Sequence, residues 1–314
     1  MQSVAKFLKS YPALQIIAVL LVGFSLLSPY FLTSGNFEAM LGANAVVLIA
    51  AIGMTVVFLA GGIDLSISTV ISASAVIAGI VMAETDNVAL GAVTAVIVGL
   101  GFGALNGVLI GYFRLTPFIT TMATQLIARG IAFVLSQGIA VKGTPFWMLD
   151  FGFMAWMGIP AVTLVALALV ALSVLLMSQT TWGRHVMLVG SNAEAARHAG
   201  INTRFIDFSV YLFAGALAGA AGFISIANLG NAIPGVGDTL LLIIIGAVVL
   251  GGTGMNGGEG SVERTLLGVG ILAILTNGLN LVGIPFYDQL IIQGVLIFLG
   301  TWLAMRLGSS RSAT

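Results

Sequence analysis

The chain has 314 residues, of which 59% are apolar and 7% charged, with eleven basic and eleven acidic side chains in balance. A mean hydropathy of +1.14 excludes an ordinary soluble domain, and the zero net charge leaves no electrostatic footprint for nucleic acid. Cysteine is absent, so neither disulfides nor thiol chemistry can operate.

Apolar runs of about 17–25 residues recur, each long enough for a hydrocarbon core of about 30 Å. Lipid offers no hydrogen bonds to a backbone, so the runs are expected to be helices; strand alternation is missing. The first span is predicted over 13–32. Lys6 and Lys9 precede it as in a signal peptide, but it is long for one and no small-residue cleavage site follows, so it is read as a retained span. Further spans are predicted over 44–60, 67–83, 88–112 and 116–136. A polar and aromatic loop, 137–159, leads to a sixth span over 160–178. The segment 179–204 is polar. The last four spans are predicted over 205–227, 238–252, 263–282 and 286–304. The expected fold is an all-α polytopic membrane protein of about ten helices, a single domain over 1–314 with 179–204 as a cytoplasmic segment within it.

Charge supports this count. With the N-terminus inside and ten crossings, both termini are cytoplasmic. Lys6, Lys9, Arg114, Arg184, Arg197, Arg204, Arg264, Arg306 and Arg311 then lie inside, nine of the eleven basic residues. Lys142 lies outside and Arg129 within a span. This is the bias of the positive-inside rule, which a miscounted span would destroy. Gly99, Gly103, Gly107 and Gly111 recur every fourth residue, and Gly215, Gly219 and Gly222 form a similar stripe. Such stripes let helices approach closely, within one chain or between subunits.

The cytoplasmic segment holds GSNAEAARHAGIN, residues 190–202. Ser191 and Glu194 have capping-box spacing, residues 193–199 favour a helix, and Gly200 suits its C-terminal end. A helix of about two turns is unstable alone and needs something to dock against: its own protein or a soluble partner.

Other polar residues stand out against the apolar background. Asp64 follows Gly61 and Gly62 where the second span meets the cytoplasm. It can cap the third helix, with Ser66 or Ser68 helping, or mark a glycine hinge. Arg129 either snorkels outward or pairs with a partner in the bundle. Asn44, Asn106, Thr121, Thr124, Gln125, Asn277, Asn280, Gln289 and Gln293 supply amides and hydroxyls for a solute path, or bridges between helices. Thr121 and Gln125, four apart, are the best pair for lining a path. His185 and His198 lack metal spacing and nearby cysteine, and no serine–histidine–acid arrangement is available. No catalytic residue and no metal site is expected. Nor is a bound cofactor, because the glycine-rich GGTGMNGGEGS lacks the lysine-serine/threonine ending of a phosphate-binding loop.

Four blocks carry a resemblance. Glu194-Ala195-Ala196, Arg197 and Gly200 look like the EAA-type cytoplasmic motif of ABC importer permeases. The run GRHVMLVGSNAEAARHAGINT is similar to the cytoplasmic segment of the ribose-type sugar permeases (carbohydrate uptake class 2), in the branched-chain amino acid/ribose permease superfamily. AIGMTVVFLAGGIDLSIS (51–68), GYFRLTPFITTMATQLIARG (111–130) and VVLGGTGMNGGEGSVERTLLG (248–268) with LTNGLNLVGIPFYDQLIIQG (275–294) resemble that family's other blocks.

The resemblance implies a permease dimer with a path between its subunits, two ATPase subunits docked on cytoplasmic helices, and an extracytoplasmic solute-binding protein. ATP and magnesium would be bound by the ATPase subunits, in a bacterial inner membrane. Ser191, Glu194, Ala195, Ala196, Arg197 and Gly200 would couple to the ATPase. Gly61, Gly62, Asp64, Ser66, Gly251, Gly252, Gly257 and Gly258 would be motif or gating positions. Asn44, Asn106, Thr121, Gln125, Arg129, Asn277 and Asn280 would line the path. One departure stands out: the eighth span lacks the acidic residues that ribose-type permeases often carry early in it. The competing readings are an ion-coupled secondary transporter, which would usually keep ionisable groups near mid-membrane, and a structural subunit of a larger assembly.

Overall fold

The computed structural model describes residues 12–309, so Lys6, Lys9, Arg311 and both chain ends lie outside the described residues. Among those described, helices joined by turns and loops make up the chain, with one small hairpin and one isolated bridge, Val141 to Ala232. The helices are α1 (Pro12–Leu27), α2 (Ser34–Leu59), α3 (Ile67–Thr85), α4 (Val88–Gly107), α5 (Pro117–Ser136), α6 (Phe146–Phe153), α7 (Ala161–Gln179), α8 (Thr181–Ser191), α9 (Ala193–His198), α10 (Thr203–Leu229), α11 (Leu240–Leu250), α12 (Val262–Leu281) and α13 (Phe286–Ser309). A π-helical turn, Val108–Tyr112, continues α4. Strands β1 (Ala155–Trp156) and β2 (Ile159–Pro160) pair antiparallel.

Seven of these helices are long and apolar enough to cross a membrane: α2, α3, α4 with its π turn, α5, α7, α10 and α12. Residues 13–27, 240–250 and 286–300 form shorter apolar helices. Together they match the ten expected runs, with three corrections to boundaries. The first span, expected over 13–32, ends at Leu27. α2 begins at Ser34, ten residues before the predicted span, because Thr33 caps it by accepting the Asn36 N–H. The polar first turn is held by a reciprocal amide pair, Asn36 with Asn277 of α12, at 2.9 and 2.8 Å. The predicted span 238–252 shrinks to α11, whose 11 residues cover about 16 Å, half a hydrocarbon core.

The missing half of that crossing is made by residues 230–239, which enter the bundle as a chain of turns. Non-helical backbone at membrane depth survives only where protein satisfies it. Here Ala232 pairs with Val141 in both directions, and the Gly237 N–H donates to Ser72 Oγ at 2.9 Å. Gly79 faces Ala232 and Gly237 sits on the Ser68 carbonyl, so this segment lies along α3. Residues 60–66, by contrast, join two complete crossings, α2 and α3, at one end of the bundle. α2 and α10 run antiparallel, with Gly42 beside Asn228 and Gly53 beside Ala214.

The two glycine stripes meet each other. Gly99, Gly103, Gly107 and Gly111 lie against Gly219, Gly215, Phe208 and Arg204, so α4 and α10 are packed backbone to backbone inside one chain. α2 and α3 form the centre of the bundle, with Ile49, Ile52, Met54, Phe58 and Ile71 fully buried. The second part of the predicted loop 137–159 folds into α6 and the hairpin, which lie over the C-terminal end of α10, where Gly152 meets the Ala227 carbonyl.

Candidate functional site: a backbone joint beside the short helix

The segment 179–204 folds as two helices, not one. α8 is amphipathic and seats Gly183, Val186 and Val189 on the bundle. Thr180 caps its start by accepting the Gly183 N–H at 3.2 Å. The indole N–H of Trp182 donates to Ser209 Oγ at 2.7 Å and ties it to α10.

α9 is shorter than expected, six residues or about 9 Å. The expected capping box does not form. Ser191 belongs to the last turn of α8, where its hydroxyl donates to the Met187 carbonyl at 2.9 Å. The next residue, Asn192, takes the cap and accepts the N–H groups of Glu194 and Ala195 at 3.1 and 2.9 Å. Two adjacent polar residues compete for one cap, and the end of α8 decides between them. Glu194 instead pairs with Arg197 at 3.6 Å, both side chains largely exposed. The other end closes as expected: Gly200 has φ +82, and the N–H groups of Gly200 and Ile201 donate to the Arg197 and Ala196 carbonyls at 3.0 Å, the 5→2 and 6→1 pattern of a glycine-terminated helix. Ala195 and Gly200 are exposed, while Ala196 is the buried seat. Both ends are fixed, and a charged face points into solvent.

Three motifs widely separated in sequence converge beside α9. The Gly258 N–H donates to the Leu59 carbonyl at 2.9 Å. Gly61, Gly257 and Gly258 have φ of +80, +84 and +73, where side chains other than glycine are strained. A Cβ on Gly190 would overlap the Leu59 carbonyl oxygen, and one on Gly257 would lie 2.6 Å from the Gly190 oxygen. The ends of α2 and α8 and the 251–261 loop therefore touch through bare backbone. Gly251 packs on the Arg264 carbonyl at the start of α12, whereas a Cβ on Gly252 would point into open space. Gly190 was not among the sequence candidates; its only signal was its place at the head of the polar stretch.

From this joint the chain rises to α3. Asp64, 3% exposed, accepts the Ser66 N–H at 2.9 Å and the Ser66 hydroxyl at 2.6 Å. The Asn106 amide donates to Ser66 Oγ at 2.9 Å, and the Thr124 hydroxyl donates to Asn106 Oδ1 at 2.7 Å. This buried chain links α3, α4 and α5, so Asp64 braces Ser66, the residue at the start of α3, without itself capping the helix; no side chain makes a cap hydrogen bond there, and Ser68 takes no part. Nearby, a cleft of about 300 Å³ is lined by Gly61, Gly62, Thr116 and Tyr211. Arg114 closes it, bonding Asp207 at 3.2 Å and Thr203 at 3.1 Å.

The proposed path residues do not gather in one place. Asn277 pairs with Asn36, and Asn280 accepts from Gln289 at 2.7 Å, so both bridge helices. Asn44 donates to the Met40 carbonyl of its own helix at 2.8 Å. Thr121 is fully buried and donates to Pro117 at 2.8 Å, while Gln125, one turn on, is half-buried. Arg129 is paired with Asp238, Nη2 to Oδ2 at 2.9 Å, across α5 and the 230–239 segment. At the opposite end of the bundle a cavity of about 580 Å³ opens between α2, α6 and α10, lined by Glu38, Gly42, Gly152, Asn228 and Leu240. Among the described residues no cluster of His, Asp and Glu could hold a metal ion.

A bundle of apolar helices with one interrupted crossing and a short capped helix at one end has the build of a polytopic membrane permease. The chain belongs to the family described as branched-chain amino acid transport system / permease component, which matches residues 36–300. It is 37% identical over 294 residues to the ribose import permease protein RbsC of Bacillus subtilis (strain 168), covering 91% of this chain and 89% of that protein. It is 32% identical to the D-allose transport system permease protein AlsC of Escherichia coli (strain K12), covering 93% and 90%. It is 30% identical to the L-arabinose transport system permease protein AraH of the same strain, covering 91% and 88%. No solved structure matches the chain.

Proposed function

We propose that this chain is the membrane-spanning subunit of an ATP-driven importer that moves a sugar or similar small polar solute into the cytoplasm. The observation that carries the reading is α9: six residues capped at both ends, its charged face free, rooted in a backbone joint with Gly61 and with Gly257 and Gly258. The relatives named above are permease proteins of ribose, allose and arabinose systems, which supports a sugar as the solute.

In this reading ATP and magnesium are bound by two separate ATPase subunits, since the chain carries no phosphate-binding loop. A second permease subunit, identical or different, completes the path, and an extracytoplasmic binding protein delivers the solute. The location is a bacterial inner membrane with both termini in the cytoplasm. Ser191, Glu194, Ala195, Ala196, Arg197 and Gly200 form the coupling region. Ser191 contributes through the end of α8 rather than as a cap. Motion at α9 reaches α3 through Gly61 and Gly62 and reaches α11 and α12 through Gly257, Gly258 and Gly251.

The test is co-purification of a nucleotide-binding subunit with the wild-type chain, followed by Glu194→Arg. Reversing that charge is expected to lower solute-stimulated ATP hydrolysis at least tenfold in proteoliposomes. Normal coupling in the variant would remove α9 from the role. Uptake driven by an ion gradient in vesicles lacking any ATPase would overturn the importer reading itself.

A further inference from the structure

α5 carries an ion pair where lipid would be expected. The helix packs chiefly on α3 and α4 through Thr120, Thr121, Thr124, Ala128 and Ala132, leaving its opposite side uncovered. Arg129 lies twelve residues beyond Pro117, about 18 Å along a helix of about 30 Å. Leu126 and Val134, exposed on either side of it, mark that depth as hydrocarbon. Yet the Arg129 side chain is 54% exposed and that of its partner Asp238 25% exposed. Charged groups at such depth face a bundle interior or a water-filled cavity, because hydrocarbon solvates neither ion. Within this chain neither is enclosed. Arg129 leans one turn toward the C-terminal end of α5, over the Phe133 ring at 5.8 Å, and there the Asp238 carboxylate holds it, so its charge is met by a protein partner at this depth and not by free water beyond the helix end.

We propose that this side of α5 borders a water-filled path, closed by the second permease subunit, and that Arg129 and Asp238 form its polar wall. The guanidinium donates hydrogen bonds and the carboxylate accepts them, so together they match the hydroxyl pairs of a neutral polyhydroxylated solute without leaving net charge. Gln125 adds an amide one turn inward, and Phe133 an apolar surface for the C–H face of a sugar ring. Among the expected path residues, Gln125 and Arg129 keep that role; Asp238 joins them, from outside the sequence candidates. The proposal rests on the transport reading above, and its test separates the two.

The chain has no cysteine, so single thiols report position directly. Gln125→Cys and Asp238→Cys are compared with Ile97→Cys, which sits on the exposed apolar side of α4, in the assembled transporter in proteoliposomes. A charged, membrane-impermeant methanethiosulfonate reagent is expected to label positions 125 and 238 at least tenfold faster than 97. Labelling of both as slow as at 97 would place α5 against lipid and overturn the proposal. This measurement needs no transported solute, so it stands even if the reading of the substrate fails. Radiolabelled D-ribose uptake by the wild-type assembly tests that reading separately. Arg129→Gln is expected to lower uptake at least tenfold, with partial recovery in Arg129→Lys, which keeps the pair with Asp238. Wild-type uptake by Arg129→Gln, with fast labelling at 125, would leave a path without this wall.

Discussion

Gly190 and Asp64 show how much one residue decides here. A Cβ at Gly190 would overlap the Leu59 carbonyl, and neighbouring backbone leaves it no escape. Gly190→Ala is therefore expected to destabilise by about 1–3 kcal/mol, as overpacking does, visible as a lower unfolding midpoint in detergent. Gly101→Ala is the control: its Cβ meets nothing within 4 Å, and replacing a helical glycine should stabilise by about 0.5–1 kcal/mol. Asp64 separates a bond from a charge. Asp64→Asn keeps the Oδ1 that accepts from Ser66 twice, so the midpoint should stay close to wild type. Asp64→Ala strands the Ser66 N–H and hydroxyl in a buried site and should cost about 1–3 kcal/mol. Equal losses in the two variants would mean that the charge itself matters.

At the scale of the element, α9 is a helix that could not persist in isolation. Its stability comes from the Asn192 cap, the glycine-terminated end and the seat of Ala196. Asn192→Ala should cost about 1 kcal/mol, enough to unwind so short a helix and weaken any coupling it carries. Ser191→Ala should cost little, because that hydroxyl bonds only the Met187 carbonyl of its own helix. Hydrogen exchange at the Glu194 and Ala195 amides distinguishes the two: fast exchange in Asn192→Ala and not in Ser191→Ala is expected. The reverse order would restore the capping box anticipated from Ser191–Glu194 spacing. A serine three residues before a glutamate was legible in the sequence; where α8 stops was not, because that depends on its docking against α10.

For the whole molecule, the seam between α4 and α10 is the feature least tolerant of change. Gly99, Gly103, Gly215 and Gly219 present backbone to backbone, and a Cβ on any of them would lie within 2.9 Å of main-chain atoms. Gly215→Leu is expected to abolish recovery of folded protein, measured as the monodisperse fraction in size-exclusion chromatography. The same substitution at Gly130 on α5, where a Cβ meets nothing, should leave folding intact. If both fold, the stripe is not the packing seam. The bundle also explains why the sequence candidates for a path scatter: Asn277 and Asn280 form bridges to Asn36 and Gln289, since an amide on an apolar helix pairs with the nearest polar group.

The sequence by itself determined the membrane class, the number of apolar runs, the close-packing stripes and the resemblance of its motif blocks. Those follow from hydropathy, from the cost of unpaired backbone in lipid and from spacing along one helix, all local properties. Only the tertiary structure decided that 230–239 interrupts its crossing, that Asn192 rather than Ser191 caps α9, and that Gly190 joins Gly61 to Gly257 and Gly258. It alone paired Arg129 with Asp238. These depend on which chain segments meet across a hundred residues or more, and a residue's own neighbours in sequence carry no record of the backbone that lies against it.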